Sequence, residues 1–184
     1  MIRLHITGAS GSGTSTLGHA LSEHLGIAQF DTDDFYWQPS DPPYTVKRSA
    51  EERLRLLNAA FAKAGSWILS GSIGHWGAPL IPQFDLVIFL SVPTAVRLRR
   101  LRRREVERYG KRIAPGGDRH EASIAFLEWA AEYEIGPAEG RSRDMHEAWL
   151  TALPCPVLRL DGGRPVERQR ADSLAAIANH GLPL

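Results

Sequence analysis

Residues 8–15, Gly8-Ala9-Ser10-Gly11-Ser12-Gly13-Thr14-Ser15, follow the spacing G-x-x-x-x-G-K-[ST] at every required position but one, where Thr14 replaces the lysine. Glycines at these intervals let the backbone curl, so that successive N–H groups point inward, and a helix leaving the loop adds its positive N-terminal end. A phosphate is the natural occupant, and amides need no lysine to hold it. The flanks agree. Ile2 to Thr7 reads as a buried strand and Ser15 to Leu25 as an amphipathic helix. A Gly/Ser-rich surface turn is the bland alternative, and the strand–loop–helix order argues against it.

The chain has 184 residues, a length that favours one domain over residues 1–184 with a proper core. Its 22 Lys and Arg balance 21 Asp and Glu to a net charge of +1. No global excess calls for a nucleic-acid or membrane partner, so any basic site must be local. Cys155 has no second cysteine to pair with, and the chain starts on a strand instead of a leader, which makes a cytoplasmic enzyme the expectation. The longest apolar runs, such as Leu86 to Leu90, fall far short of the roughly 20 residues that span a bilayer.

Further strands read at 27–31, 67–70, 85–90 and 157–160, those at 67–70 and 85–90 as near-continuous apolar runs of the kind covered on both faces. Helical patterns fall between them. Ser49 and Glu52 make a capping box for a helix through Ala64, closed by Gly65, with Leu54, Leu57, Phe61 and Ala64 buried and Arg53 and Arg55 wet. Others read at 94–109, 121–134, 142–153 and 165–179. This alternation predicts a three-layer α/β/α fold on a doubly wound, five-stranded parallel sheet, with ligands beyond the carboxyl ends of the strands. Residues 110–122, with Pro115-Gly116-Gly117, lack periodicity and suit either a lid-like flap or a plain surface loop.

Asp31, Asp33 and Asp34 crowd the exit of the second strand, beside the loop. Carboxylates so close repel one another unless a cation or a hydrogen-bonding ligand offsets the repulsion, and Mg²⁺ commonly takes one or two carboxylates plus phosphate oxygens. A metal–nucleotide is thus the expected partner, and Gly8, Ser10 to Gly13, Thr14, Ser15 and Thr16 are its expected seat. Asp33 is placed as the acid that accepts an acceptor's proton. Asp34 serves the acceptor or, alternatively, caps a helix. Ser70-Gly71-Ser72, at the end of the third strand, lacks the second metal-directing acid often found there.

Seven arginines between 97 and 108 face only Glu105 and Glu107. Arg97, Arg100, Arg104 and Arg108 share one helix face, with Leu98 and Leu101 for packing. Arginine at a transferring phosphoryl group is worth about 10³–10⁵ in rate, enough to replace a loop lysine, which points to Arg100 and Arg104. The competing reading is a solvated face, because only three of the 22 basic residues are lysines. His120-Glu121 and His146-Glu147 do not extend to a zinc pattern. Trp37, Trp76, Trp129 and Tyr36 are candidates to line an acceptor pocket, against the commoner role of core or rim packing, and Trp37 and Trp76, next to motif residues, are the better placed.

Taken together, these motifs resemble the small phosphate-loop kinases: adenylate, cytidylate, shikimate and gluconate kinases. Phe30-Asp31-Thr32-Asp33 is similar to the Asp-x-Asp element of shikimate kinases. That resemblance implies Mg²⁺ on Asp31 and Ser15 and an acceptor hydroxyl on Asp33. The Gly-Ser-Gly-Thr loop resembles archaeal-type cytidylate kinases, which also carry threonine at the lysine position. The arginine-rich helix and residues 110–120 look like a lid region, with Arg141 or Arg143 matching the arginine that follows it. Ser70-Gly71 departs from the Asp-Gly of nucleoside monophosphate kinases, and no arginine follows at 72–74. In these departures the chain resembles adenylate-kinase-like ATPases.

The resemblance implies transfer of the ATP γ-phosphoryl to a small hydroxyl or phosphate acceptor, with Mg²⁺. The missing lysine and acid keep open a nucleotide-binding switch or weak ATPase, and the arginine helix keeps open a nucleic-acid contact, testable by its salt dependence.

Overall fold

A computed structural model describes residues 1–136 and 141–183. In chain order it contains β1 (Arg3–Gly8), α1 (Thr14–Leu25), β2 (Ala28–Asp31), α2 (Thr32–Tyr36), α3 (Ala50–Ala64), β3 (Trp67–Ser70), β4 (Leu86–Ser91), α4 (Thr94–Tyr109), α5 (His120–Ala131), α6 (Arg143–Thr151), β5 (Val157–Asp161) and α7 (Val166–Asn179). All strand pairs are parallel, in the order β2-β3-β1-β4-β5. β1 lies in the middle, so the loop leaving it opens at the point where the strand order reverses.

Alternation along the strands builds two cores. Leu4, Ile6, Ile68, Ile88 and Leu90 face Leu17 and Leu21 of α1 and Ile177 of α7. Trp67, Leu69, Val87 and Phe89 face Leu57 and Phe61 of α3 and Leu150 of α6. Three layers result, as the burial of both sheet faces requires. His5 turns to the second core, stacked on Phe84 at 4.8 Å with Nδ1 3.0 Å from the Leu69 carbonyl. Complete burial lowers its pKa to about 4, so at neutral pH it packs as an uncharged ring.

Several local expectations change. Arg53 is only 8% exposed: its guanidinium lies 3.7 Å over the Tyr36 ring, and Nη2 donates to the Arg48 carbonyl. Helix periodicity could not foresee a ring waiting on the polar face. Ser49 caps α3 by accepting from Glu52 N at 3.1 Å, while the Glu52 carboxylate turns to Arg48. The helix expected over 121–134 ends at Ala131 and tightens into a 3-10 turn, Glu132–Glu134. A second such turn, His75–Gln83, contains Pro79 and Pro82, which disguise it in the sequence. Residues 110–120 form a hydrogen-bonded framework: a 3-10 turn at Gly110–Ile113, Arg119 N on the Arg112 carbonyl, and Arg112 held by both Asp118 and Asp41.

Candidate active site

The carboxyl ends of β1, β2 and β3 and the inner face of α4 enclose a cavity of about 680 Å³, of a size suited to a small ligand. Its floor is the loop. Gly11 takes φ +82°, and a Cβ there would stand 2.8 Å from the Arg97 carbonyl; a Cβ on Gly8 would meet the Leu90 carbonyl at 2.6 Å. Only glycine permits this approach of loop to helix and strand. Gly8, Ser10, Gly11, Thr14 and Ser15 line the cavity. Ser12 is buried beneath the loop, Gly13 is the left-handed N-cap of α1, and Thr16 is exposed on α1.

Ser15 and Asp31 meet here. The Ser15 hydroxyl donates to Asp31 Oδ2, while Asp31 Oδ1 accepts from Asp33 N at 3.0 Å. Asp31, not Asp34, is therefore the N-cap of α2. Two oxygen donors that leave other positions for phosphate and water fit Mg²⁺. Among the described residues no cluster of three or more His, Cys, Asp or Glu offers a protein-only metal cage.

Asp33 lines the cavity, and its pKa is raised, first by burial and then by Asp31, against the opposing pull of Arg108, Arg104 and Arg141. Asp34, expected on the acceptor, is exposed and outside the cavity lining. The reason is the helical turn of α2, whose 100° step carries neighbouring side chains apart. Tyr36, Trp37, Trp76 and Trp129 all reach the wall.

The arginine face of α4 divides along its length. Arg97 is 0% exposed and donates to the carbonyls of Val92, Ser10 and Ala130. Arg100, expected at the transferring phosphoryl, instead donates to the carbonyls of Gly11 and Ser12 from Nη1 and of Gly162 from Nη2. It braces the loop from behind and does not line the cavity, because the first turns of α4 abut the loop's carbonyl face. Only Arg104 and Arg108, one and two turns further, line it.

Arg141 also lines the cavity, with Nη1 donating to Ser10 Oγ at 3.1 Å, whereas Arg143 pairs with Glu134 at the surface. Burial works against the charge of both Arg104 and Arg141. At the end of β3, where the sequence lacks a metal-directing acid, Ser70 is buried and accepts from Gln29 Nε2 at 2.7 Å. Sequence reasoning did not single out Tyr44, Lys47, Arg119 or Phe126, which also line the wall. They lie in segments without periodicity or on the flank of α5, and only their basic and aromatic character marks them.

The AAA domain family model matches residues 4–124. An uncharacterized protein, YqaC of Bacillus subtilis (strain 168), is 48% identical over 158 residues, covering 86% of this chain and 87% of its own. Among solved structures, shikimate kinase from Aquifex aeolicus vf5 superposes with a TM-score of 0.56 at 16% identity, covering 98% of both chains. A gluconokinase from Sinorhizobium meliloti 1021 superposes with a TM-score of 0.55 at 17% identity, covering 97% of this chain and 92% of its own. The architecture is that of the small phosphate-loop kinases.

Proposed function

The chain belongs to the AAA domain family, and from that premise we propose that it is an ATP-dependent phosphotransferase, moving the γ-phosphoryl of ATP to a small hydroxyl or phosphate acceptor. The observation that carries this reading is one cavity shared by the loop, the Ser15–Asp31 pair, Asp33, Arg104 and Arg141. A donor seat, a metal seat and an acceptor base thus open onto the same space. A cytoplasmic location, where ATP and Mg²⁺ are at hand, goes with it.

In this reading the amides from Ser10 to Thr16 hold the β- and γ-phosphates. Mg²⁺ on Ser15 and Asp31 would supply charge neutralisation of those oxygens. Asp33 accepts the proton of the acceptor hydroxyl as the new O–P bond forms; the bond from the γ-phosphorus to the bridging oxygen breaks, and ADP leaves with that electron pair. Arg104 and Arg141 stabilise the charge on the transferring group, the task that a loop lysine performs elsewhere. Arg100 is a positioning residue, fixing the loop carbonyls so that their amides point inward. Trp37 and Trp76 bound the acceptor side.

A labelled-ATP screen over hydroxylated and phosphorylated compounds tests this. Mg²⁺-dependent product is expected, and Asp33→Asn should lower kcat at least about 10²-fold. Transfer indifferent to Asp33→Asn would remove the assigned base. ATP binding without transfer to any acceptor would favour a second reading, a nucleotide switch or weak ATPase. Thr14 and the hydrogen-bonded Ser70 support that alternative. A nucleic-acid role has less to draw on: the outer face of α4 offers Arg99, Arg102 and Arg103, the last 3.3 Å from Glu107.

A further inference from the structure

The first two turns of α4 set two guanidiniums behind the phosphate loop, and neither has a counter-charge. Arg97 donates from Nε to the Val92 carbonyl at 3.2 Å, from Nη1 to the carbonyls of Ser10 and Ala130 at 3.3 and 3.2 Å, and from Nη2 to Thr94 Oγ1 at 3.0 Å. Arg100 donates to the carbonyls of Gly11, Ser12 and Gly162. Every one of these acceptors is neutral. Among the described residues neither arginine is ion-paired to a carboxylate. The carboxylate whose charge Arg97 feels, Glu134, is itself paired with Arg143 at 3.0 Å. A buried cation without a counter-ion is costly. Its place at the start of α4, where a helix favours an acid and none stands, adds to that cost. Holding carbonyls in place needs a donor but no charge, so the brace alone does not account for two guanidiniums.

Three of the acceptors belong to the loop's own peptides. The Ser10 carbonyl shares its peptide unit with the Gly11 N–H, and the Ser12 carbonyl shares its unit with the Gly13 N–H; in a planar trans peptide the two groups point opposite ways. Among the described residues neither N–H has a partner, whereas the Ser12 N–H between them closes a turn on the Ala9 carbonyl at 3.0 Å. A guanidinium on the carbonyl therefore turns the free amide away from the first turns of α4. By polarising the unit it also makes that amide a stronger donor. The charge itself lies only one peptide thickness behind the loop, where little water comes between to screen it. A Cβ on Gly13 would stand 3.8 Å from Arg100 Nη1, which puts this guanidinium beside the residue that precedes Thr14.

We propose that Arg97 and Arg100 supply from behind the loop the positive charge that a lysine at position 14 would bring to the β- and γ-phosphates from in front, an inference that rests on the phosphotransferase reading. Arg104 and Arg141, which line the cavity, remain for the transferring group. The two guanidiniums, the free amides and the N-terminal end of α1 form one positive site, and the nucleotide's phosphates are the anion that completes it. Threonine serves at position 14 because the charge has moved to the other side of the backbone and has not been lost.

The test is a double-mutant cycle between the two sides of the loop, read as the Kd of Mg²⁺–ATP by calorimetry. Arg97→Gln and Arg100→Gln should each weaken binding about tenfold. Arg100→Lys, which keeps the charge and loses the fork, should retain most of the affinity. Thr14→Lys should change the affinity of the otherwise intact chain by less than about threefold, yet restore most of what Arg100→Gln loses. A lysine in front cannot rebuild a brace behind, so that rescue separates charge from mere support. Melting curves establish which variants are folded; because Arg97 is 0% exposed, the Arg100 series decides the matter if Arg97→Gln does not fold. Equal gains from Thr14→Lys in both backgrounds, no rescue of Arg100→Gln, or a loss in Arg100→Lys as large as in Arg100→Gln would overturn the inference. Failure of the intact chain to bind Mg²⁺–ATP would instead overturn the phosphotransferase reading.

Discussion

In the proposed reaction Asp33 is a side chain that trades stability for chemistry. Burial and Asp31 raise its pKa above the ordinary carboxylate range, so its ionised form is less favourable in the folded chain than in the unfolded one. The sign follows: its contribution to stability is fully present below the ordinary range near pH 4 and is lost as pH rises through the raised value. Asp33→Asn should therefore raise Tm at pH 7–8, with the gain shrinking as pH falls toward about 4, while transfer activity collapses. Melting curves across pH check this, and a Tm lowered at neutral pH would contradict it. The same shift displaces the acid limb of kcat above the pH at which an exposed aspartate titrates.

Among the elements, α4 does the most, and it was the hardest to interpret. Arg100→Gln removes donors to three carbonyls of the loop and its neighbour and should weaken Mg²⁺–ATP binding about tenfold or more, since bonds from charged donors contribute roughly 1.5–3 kcal/mol each. Equilibrium titration reads this directly, and unchanged affinity would show that the brace is idle. Periodicity correctly set Arg97, Arg100, Arg104 and Arg108 on one face. It could not say what the face would meet, because the loop arrives from 80–90 residues earlier in the chain. The strands were legible to within a residue at each end, since unbroken apolar runs leave few alternatives. α2 was missed because five residues hold too little pattern, and Asp34 was misplaced with it. Arg119 went unmarked in a segment that has no period to interpret.

For the molecule as a whole, the sheet order gathers residues 8–11, 14–15, 31–33, 71–72, 74–76, 104–105, 108–109 and 141 around one opening. Occupying that opening should tighten the entire fold. At about 100 times Kd, a ligand of the native state adds about 2.7 kcal/mol, equivalent to a Tm rise of roughly 5–10 °C for a chain of this size. Mg²⁺–ATP should produce it, and EDTA should remove most of it. A rise that survives EDTA would mean that Ser15 and Asp31 do not seat a metal. The layout of α4 has one more consequence. Its early turns brace the phosphate loop and its later turns line the cavity beyond it, so a single stiff rod sets the interval between the two. Inserting one residue between Arg100 and Arg104 would swing everything beyond it by about 100°, turning both distal guanidiniums outward while the brace stays put. If the proposed transfer holds, a lineage built on this rod retunes its acceptor by exchanging side chains, and not by lengthening the spacer.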